Sequence, residues 1–291
     1  MRPNFLFIGP PKAASTWIYE MLKEHPQVYL SPAKELHYFD SYYHFGERWY
    51  LKHFQDAGPS HKVVGEISHD YLYSEEACHR IQRDLGNIKL MVCLREPVER
   101  AFSDYLYMVR QGYVRCSFER AIEERPEIIE HSKYATYLAP YRDVFGRDNL
   151  ILMLFEDLRR SSDDFWRQLC DALSIDPALS KAPEDRQVLQ ASSPRSWLFA
   201  RGAKEAAMLM RRVGLAKAVT RVKFSPVVQR LLYRAYKPGQ RPAMAPETRE
   251  RLREQFRGEV AALERDYVPG IASRWGYERV EGMSRRLNEN D

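Results

Sequence analysis

The chain has 291 residues, of which 44% are hydrophobic, 12% aromatic and 29% charged. This composition can fill a sizeable core and excludes the disordered and fibrous classes. The 45 Lys and Arg exceed the 40 Asp and Glu, so the formal net charge is +5, and no apolar run approaches the roughly 20 residues that span a bilayer.

Short apolar strands alternate with helices. Strands are predicted at 4–8, 28–30, 62–66, 88–94 and 150–155, and helices at 15–24, 97–110 and 162–172. Strands that are apolar throughout and separated by helices are typical of a parallel sheet covered on both faces. We therefore predict an α/β fold with a central parallel sheet flanked by helices. A late amphipathic helix is predicted over 245–265, with one apolar stripe formed by Leu252, Phe256, Val260 and Leu263.

The cysteines indicate a reduced protein. The four of them form no CxxC pair, which disfavours a zinc site and a dense disulfide framework. Cys93 lies in an apolar strand and is predicted to be a small buried hydrophobe. The apolar run at 4–8 is too short for the core of a signal peptide. We expect a cytoplasmic protein.

Residues 5–17, FLFIGPPKAASTW, combine a strand, a turn of small residues and the start of a helix. Backbone N–H groups in such a turn can bind a phosphate. The pattern G-x-x-x-x-G-K-[ST] of nucleotide triphosphatases, laid on Gly9, needs Gly-Lys where Ala14 and Ser15 stand, while the lysine lies earlier, at Lys12. ATPase and kinase chemistry are therefore disfavoured. An ordinary strand-to-helix turn with an incidental lysine is the alternative.

The segment GPPKAASTW resembles the 5′-phosphosulfate loop of sulfotransferases that use 3′-phosphoadenosine 5′-phosphosulfate (PAPS). The carbohydrate sulfotransferases of the heparan sulfate group are similar in pattern. The resemblance implies a P-loop-like nucleotide-binding fold and PAPS as the co-substrate, with adenosine 3′,5′-bisphosphate (PAP) as the product. It also implies that the donor is held by the loop residues Pro11, Lys12, Ala13, Ala14, Ser15, Thr16 and Trp17.

A second block, LREPVERAFSDY at 94–105, resembles the 3′-phosphate motif of the same family. The resemblance implies that Arg95 and Ser103 hold the 3′-phosphate. Arg95 follows an apolar strand, where open α/β sheets bind ligands, and a guanidinium pairs bidentately with phosphate. Taken alone, Arg95 would instead be expected to form a surface salt bridge with Glu96 or Glu99.

A third block, SPAKELHYFD at 31–40, resembles the stretch that carries the general base of heparan sulfate O-sulfotransferases. It implies that Glu35 is the base, supported by His37 and Asp40. Sulfuryl transfer to an alcohol needs a base for the hydroxyl proton and a cation for the leaving phosphate; the cation would be Lys12, and no metal is required. The alternatives are a core histidine at His37 and a solvated pair formed by Lys34 and Glu35.

Two further stretches resemble the family less closely. VGEISHDYLYS at 64–74 is similar to its E-K-[ST]-x-x-Y segment, but Ile67 stands where the heparan-type members have a lysine. Either His69, Lys34 or His37 replaces this cation, or Lys12 works alone. KPGQRPAMAPE at 237–247 resembles the late basic loop that closes over the 3′-phosphate, which implicates Arg241.

Residues 195–241 carry twelve Lys and Arg and one acid, Glu205, so this segment is +11 and the remainder −6. Three interpretations of its helices are open. They pack on the rest of the domain with their basic side chains extending to solvent, they cover a binding site for an acidic acceptor, or they touch anionic lipid through 195–236. Nucleic acid is disfavoured, because aromatic residues do not form a stacking platform.

We predict a single domain with a donor-binding and catalytic core at 1–180, a basic helical cap at 185–236, and a donor-closing loop and helix at 237–291.

The prediction for function is a sulfotransferase that moves the sulfuryl group from PAPS to a hydroxyl by in-line displacement. The acceptor is a carbohydrate, a glycolipid or another small-molecule alcohol. The alternatives are a P-loop kinase for a small molecule and a non-catalytic module that binds a nucleotide or a membrane. The expected location is the cytoplasm, with peripheral membrane contact as an option.

Overall fold

The computed structural model describes residues 1–180, 192–194, 196–212, 222, 225–236 and 239–278. Parts of the predicted cap (185–236) and of the predicted C-terminal region (237–291) lie outside these residues.

A five-stranded sheet lies at the centre of the fold, in the order β2-β3-β1-β4-β5, and every neighbouring pair is parallel. All five strands agree with the predicted apolar runs to within one residue at each end. This confirms the prediction of an α/β fold with a parallel sheet. The strands are β1 (Phe5–Gly9), β2 (Val28–Leu30), β3 (Val63–Ile67), β4 (Lys89–Leu94) and β5 (Leu150–Leu154).

Successive side chains of a strand point to opposite faces, and β1 shows what this means here. Leu6 and Ile8 belong to one apolar core, and Phe5 and Phe7 belong to the other. The sheet is thus buried on both sides, which is why its strands lack polar alternation.

Helices cover both faces of the sheet. The smaller core includes side chains from the helices Ser15–Leu22 and Ser162–Leu173, while the larger one includes side chains from Pro97–Arg110 and the late helix Pro246–Asp266. The helices are α1 (Ser15–Leu22), α2 (Glu47–Leu51), α3 (Glu75–Leu85), α4 (Pro97–Arg110), α5 (Phe118–Glu124), α6 (Glu127–Glu130), α7 (Tyr134–Phe145), α8 (Phe155–Arg160), α9 (Ser162–Leu173), α10 (Trp197–Arg212), α11 (Pro226–Leu232), α12 (Pro246–Asp266) and α13 (Ile271–Arg274).

Three sequence predictions about packing are confirmed. The four apolar residues predicted to form the stripe of the late helix are all buried in the larger core. Helix α4 has the predicted bounds and begins with a proline. Cys93 is fully buried in β4.

The described part of the basic segment contains more than the predicted helices. Strands β6 (Ser192–Pro194) and β7 (Tyr233–Ala235) form an antiparallel pair that lies against α4. Helix α10 starts beside the end of α4. The carbonyl oxygen of Trp197, the first residue of α10, is so close to Gly112, just after α4, that a Cβ there would lie 2.7 Å from it. The segment is therefore joined to the same helix that carries Ser103.

Across the described residues, no helix combines the length and the apolar character needed to cross a membrane.

Candidate active site

The predicted phosphate loop lies at the carboxyl end of β1 and leads directly into α1. Lys12 and Ala14 adopt left-handed backbone angles, with φ of 69° and 62°. Ala14 is the N-cap residue of α1 and has no side-chain acceptor for the first N–H groups of the helix. The loop thus combines a bare helix N-terminus with a lysine, which suits an anionic ligand.

The side chains of the loop divide between the loop surface and the core. Ala13 and Trp17 are buried in the smaller core, where Trp17 packs edge-on against Phe165 at 5.4 Å between ring centroids. Pro11 and Thr16 are half-buried. Any contribution of Trp17 to donor binding therefore comes from its backbone.

Lys12 reaches across to α4, where its ammonium lies 4.4 Å from the ring centroid of Tyr107. Burial lowers the pKa of Lys12, and the neighbouring Asp104 opposes this effect. Tyr107 was not predicted as a site residue. The sequence could have indicated Tyr107 by its spacing. Tyr107 follows Ser103 by one helical turn, so the two side chains lie on the same side of α4.

Arg95 lies between the loop and α4. Its guanidinium donates a hydrogen bond to the carbonyl oxygen of Lys12 at 3.2 Å and covers the ring of Phe155 at 4.6 Å. The salt bridge to Glu99 exists at 3.8 Å, whereas Glu96 caps α4 by accepting from the Glu99 N–H. Arg95 therefore lies beside the predicted phosphate loop and also forms one of the two pairs expected of a surface arginine.

Arg241 lies beyond the far end of α4. Burial raises the pKa of Tyr236, while Arg241 and Arg110 both oppose this shift, so all three side chains are neighbours. The guanidinium of Arg110 covers the ring of Tyr233 at 4.1 Å. Arg241 therefore lies near Arg110 at the end of α4, and its own side chain is exposed.

Glu35 and Lys34 are buried, with exposed fractions of 6% and 3%. The interpretation as a solvated pair is therefore wrong. The Glu35 carboxylate is flanked by two basic groups, since its Oε1 lies 3.6 Å from Nζ of Lys34 and 3.6 Å from Nε2 of His69. The backbone of Glu35 donates to the carbonyl oxygen of Ile67 at 2.9 Å, which attaches this segment to β3.

Lys34 joins the predicted base to the phosphate loop. Its ammonium donates to Oγ of Ser15 and to Oγ1 of Thr16, each at 3.2 Å. Ile67 is fully buried in the smaller core and supplies no charge. Of the groups considered as replacements for the missing cation, Lys34 is the one whose ammonium contacts both the base and the loop.

His37 and His69 form a cluster with three carboxylates, those of Glu35, Asp40 and Asp70. Nδ1 of His37 lies 3.2 Å from Asp40 and 3.9 Å from Asp70. Nδ1 of His69 lies 2.8 Å from Asp70. Burial opposes the imidazolium, but the carboxylates of Asp70 and Glu35 prevail and raise the pKa of His69 to about 9. His37 is half-buried rather than a core histidine.

The described residues contain no group of three or more His, Cys, Asp or Glu side chains that could hold a metal ion.

Curated sulfotransferases match parts of the chain. The membrane-associated sulfotransferase kil1 of Dictyostelium discoideum is 34% identical over 145 residues, which cover 45% of this chain and 31% of kil1. Heparan sulfate glucosamine 3-O-sulfotransferase 5 of Homo sapiens is 35% identical over 105 residues, which cover 35% of this chain and 30% of the relative. The chain thus matches about a third of the length of these relatives.

A solved structure and a family model cover more of the chain. The crystal structure of a sulfotransferase from Alicyclobacillus acidocaldarius has a TM-score of 0.64 and 23% identity, and the match covers 91% of this chain and 95% of that one. This shows that the fold is shared. The model of the sulfotransferase domain matches residues 2–190. Because this match spans more than half of the chain, the protein belongs to the sulfotransferase family.

Proposed function

We propose that the protein transfers the sulfuryl group of PAPS to a hydroxyl group of an acceptor. One observation carries the proposal: the ammonium of Lys34 contacts Glu35 on one side and the hydroxyls of Ser15 and Thr16 on the other. A carboxylate next to a phosphate loop, with a cation between them, is what proton removal and charge stabilisation require in this reaction.

The residues around the loop fit the charge of the donor. The uncapped N-terminus of α1, the ammonium of Lys12 and the guanidinium of Arg95 form a set of donors suited to phosphate and sulfate. Ser103, one turn before Tyr107 on α4, would complete the 3′-phosphate site with Arg95. Arg241 would close this site from the late loop.

In the proposed reaction the Glu35 carboxylate takes the proton of the acceptor hydroxyl while the hydroxyl oxygen forms a bond to sulfur. The bond from sulfur to the bridging oxygen breaks, and its electron pair remains on the 5′-phosphate of PAP. Lys12 and Lys34 place positive charge where this negative charge develops. His37, held by Asp40, would orient the acceptor.

We propose a carbohydrate hydroxyl as the acceptor. Support comes from the name of one relative, a heparan sulfate glucosamine 3-O-sulfotransferase. The test incubates the protein with labelled PAPS and a panel of oligosaccharides, glycolipids and small alcohols, followed by mass analysis of the products. If only a glycolipid or a simple alcohol is sulfated, the proposal of a carbohydrate acceptor is wrong. If none of the compounds is sulfated, the proposed activity is contradicted.

Calorimetry distinguishes this function from the kinase alternative. PAP is expected to bind equally well with and without a chelator, and Arg95→Ala should weaken binding by about 1.5–3 kcal/mol, the range for a hydrogen bond to a charged group. Arg167→Ala on α9, an exposed arginine paired with Asp164, is the matched control and should leave binding unchanged. Preferential binding of ATP with magnesium would support a P-loop kinase instead.

We further propose that the protein works in the cytoplasm and touches anionic lipid through α10 and α11. Eight large apolar side chains are exposed in the described residues, and six of them lie in this basic segment: Leu198, Phe199, Leu209, Val222, Val227 and Leu231. Apolar side chains among an excess of positive charge suit an anionic membrane surface.

Vesicle sedimentation tests the lipid contact. Binding to vesicles with anionic lipid should exceed binding to neutral vesicles, and the pair Leu198→Ser and Phe199→Ser should weaken it. Leu179→Ser, at an exposed leucine outside the segment, is the control. If the pair leaves vesicle binding unchanged but raises the acceptor KM, the segment is an acceptor cap.

A further inference from the structure

Glu66 is a fully buried carboxylate on β3 whose two oxygens both accept hydrogen bonds from hydroxyls. Oγ of Ser68 donates to Oε2 at 2.7 Å, and the phenol of Tyr71 donates to Oε1 at 2.9 Å. None of the chemistry assigned above uses this carboxylate. Because each hydroxyl has one proton and gives it to Glu66, the lone pairs of both hydroxyls must face elsewhere.

Those lone pairs face the backbone of the segment that carries the predicted base. Oγ of Ser68 accepts from the N–H of His37 at 3.2 Å. The phenol oxygen of Tyr71 accepts from the N–H of Tyr38 at 2.8 Å and lies 3.4 Å from that of Phe39. The Glu66 carboxylate thus orients two hydroxyls as acceptors for the backbone of residues 37–39.

This backbone needs support from outside. Glu35 and His37 both have left-handed φ angles, 64° and 51°, which L-residues adopt only when the surroundings compensate the strain. The left-handed turn directs the side chains of Glu35 and His37 toward Lys34, His69 and Asp70. Without the two hydroxyl acceptors, the N–H groups of residues 37 and 38 would lose these partners, and that of residue 38 would be unpaired in a buried position, which favours another backbone conformation.

We propose that Glu66, acting through Ser68 and Tyr71, is a positioning residue that holds the Glu35–His37 turn in its catalytic conformation. The inference rests on the proposed function for its kinetic consequences, but not for its structural ones. A carboxylate is required at this position because it accepts from both hydroxyls at once, whereas the amide of glutamine would have to donate to one of them. The reversed hydrogen bond would turn that hydroxyl away from the backbone.

Steady-state kinetics with a confirmed acceptor tests the proposal. Glu66→Gln and Tyr71→Phe should each lower kcat by about 10-fold or more, while the donor KM and the PAP dissociation constant stay within about twofold. Tyr141→Phe is the matched control. Its buried phenol donates to the carbonyl oxygen of Tyr71 at 2.5 Å and is absent from the Glu66 contacts, so its loss should leave kcat nearly unchanged.

Equal losses of kcat in Tyr71→Phe and Tyr141→Phe would reduce the role of Glu66 to general stability and overturn the proposal. Wild-type kcat in Glu66→Gln would also overturn it.

Amide hydrogen exchange provides a readout that does not depend on sulfuryl transfer. In Glu66→Gln the amides of residues 37–39 should exchange at least about 10-fold faster than in the wild type, while those of β1 should not change. Unchanged exchange at residues 37–39 would contradict the proposal even if the enzyme is active. Faster exchange in a protein that transfers no sulfate would retain the structural role and reject the proposed function.

Discussion

Glu35 and Lys12 have different neighbours, from which we expect different roles in the reaction. Glu35 is flanked by Lys34 and His69 beside the loop, whereas Lys12 lies over Tyr107 on α4. A base that removes the acceptor proton acts in the chemical step, while a loop lysine holds the donor both before and during the reaction. Substitutions at these two positions should therefore have different kinetic signatures.

Glu35→Gln is expected to keep donor affinity and to lose turnover by roughly 10²–10⁴, the usual contribution of a positioned base. Steady-state kinetics together with titration of PAP measures both quantities. His37→Ala should approach the same loss. Near wild-type turnover in Glu35→Gln would end its assignment as the base and direct attention to His69.

Lys12→Ala is expected to raise the donor KM and also to lower kcat, because its charge is present in the ground state and matters more as negative charge grows on the bridging oxygen. The same kinetics and PAP titration provide the test. The control is Lys23→Ala at the exposed end of α1, where the lysine pairs with Glu20. A change in kcat with unaltered donor KM and PAP affinity would show that Lys12 does not hold the donor.

The pair of His69 and Asp70 makes stability depend on pH. The folded pKa of His69 is about 9, against 6.5 for an ordinary histidine, so folding favours the imidazolium. The stabilisation that His69 gives to the folded protein is therefore complete below about pH 6.5 and is lost as the pH rises through about 9. The shift corresponds to roughly 3–4 kcal/mol.

Urea unfolding at a series of pH values measures this effect. The free energy of unfolding of the wild type should fall between about pH 6.5 and 9 by more than that of His69→Gln. Parallel curves for the two proteins would contradict the assignment.

At the element scale, β1 and the segment after β3 meet at Gly9. Its φ is 147°, and a Cβ at this position would lie 2.4 Å from the carbonyl oxygen of His69. Glycine therefore allows the phosphate loop to start directly beside the segment that carries His69 and Asp70. This contact brings the donor loop and the histidine cluster to the same edge of the sheet.

Two glycine substitutions should have opposite effects on stability. Gly9→Ala should lower the free energy of unfolding by roughly 2 kcal/mol or more, because the conflict is with backbone. Gly258→Ala lies in α12, where a Cβ would meet nothing within 4 Å, and should raise it by about 0.5–1 kcal/mol. Thermal or urea unfolding compares them. Equal effects would refute the close approach at Gly9.

At the scale of the whole molecule, α12 connects the end of the chain to the predicted catalytic core. Phe256 is fully buried in the larger core, together with side chains of α4 and α7. Helices that share one core with the sheet are expected to unfold with it. This supports the proposal that the chain is a single domain.

Phe256→Ala should lower the free energy of unfolding by about 3–5 kcal/mol, in one transition that includes loss of PAP binding. Phe199→Ala, at a ring that is 76% exposed, should change it by less than about 0.5 kcal/mol. Calorimetric scans with and without PAP provide the measurement. Two transitions, of which only one responds to PAP, would indicate separate domains.

Much of the fold followed from local pattern. The apolar runs predicted all five strands of the sheet because strands buried on both faces have no polar alternation. Pro97 and the periodic apolar residues of 245–265 predicted the start of α4 and the buried stripe of α12. The small pair β6 and β7 was not predicted, because neither segment is an apolar run: β6 reads Ser-Ser-Pro and β7 carries an arginine.

The α/β class and the loop at 9–16 could be predicted from contiguous patterns along the chain, and the resemblance to sulfotransferase motifs added the candidates Lys12, Glu35, Arg95 and Ser103. Which of these residues lie close together depends on the tertiary fold. The strand order β2-β3-β1 places the loops after all three strands at one edge of the sheet. Strand order depends on how crossover connections pack, which no local pattern encodes. The contacts of Lys34 with Ser15 and Thr16, and of Glu66 with the hydroxyls that hold residues 37–39, exist only because of that order.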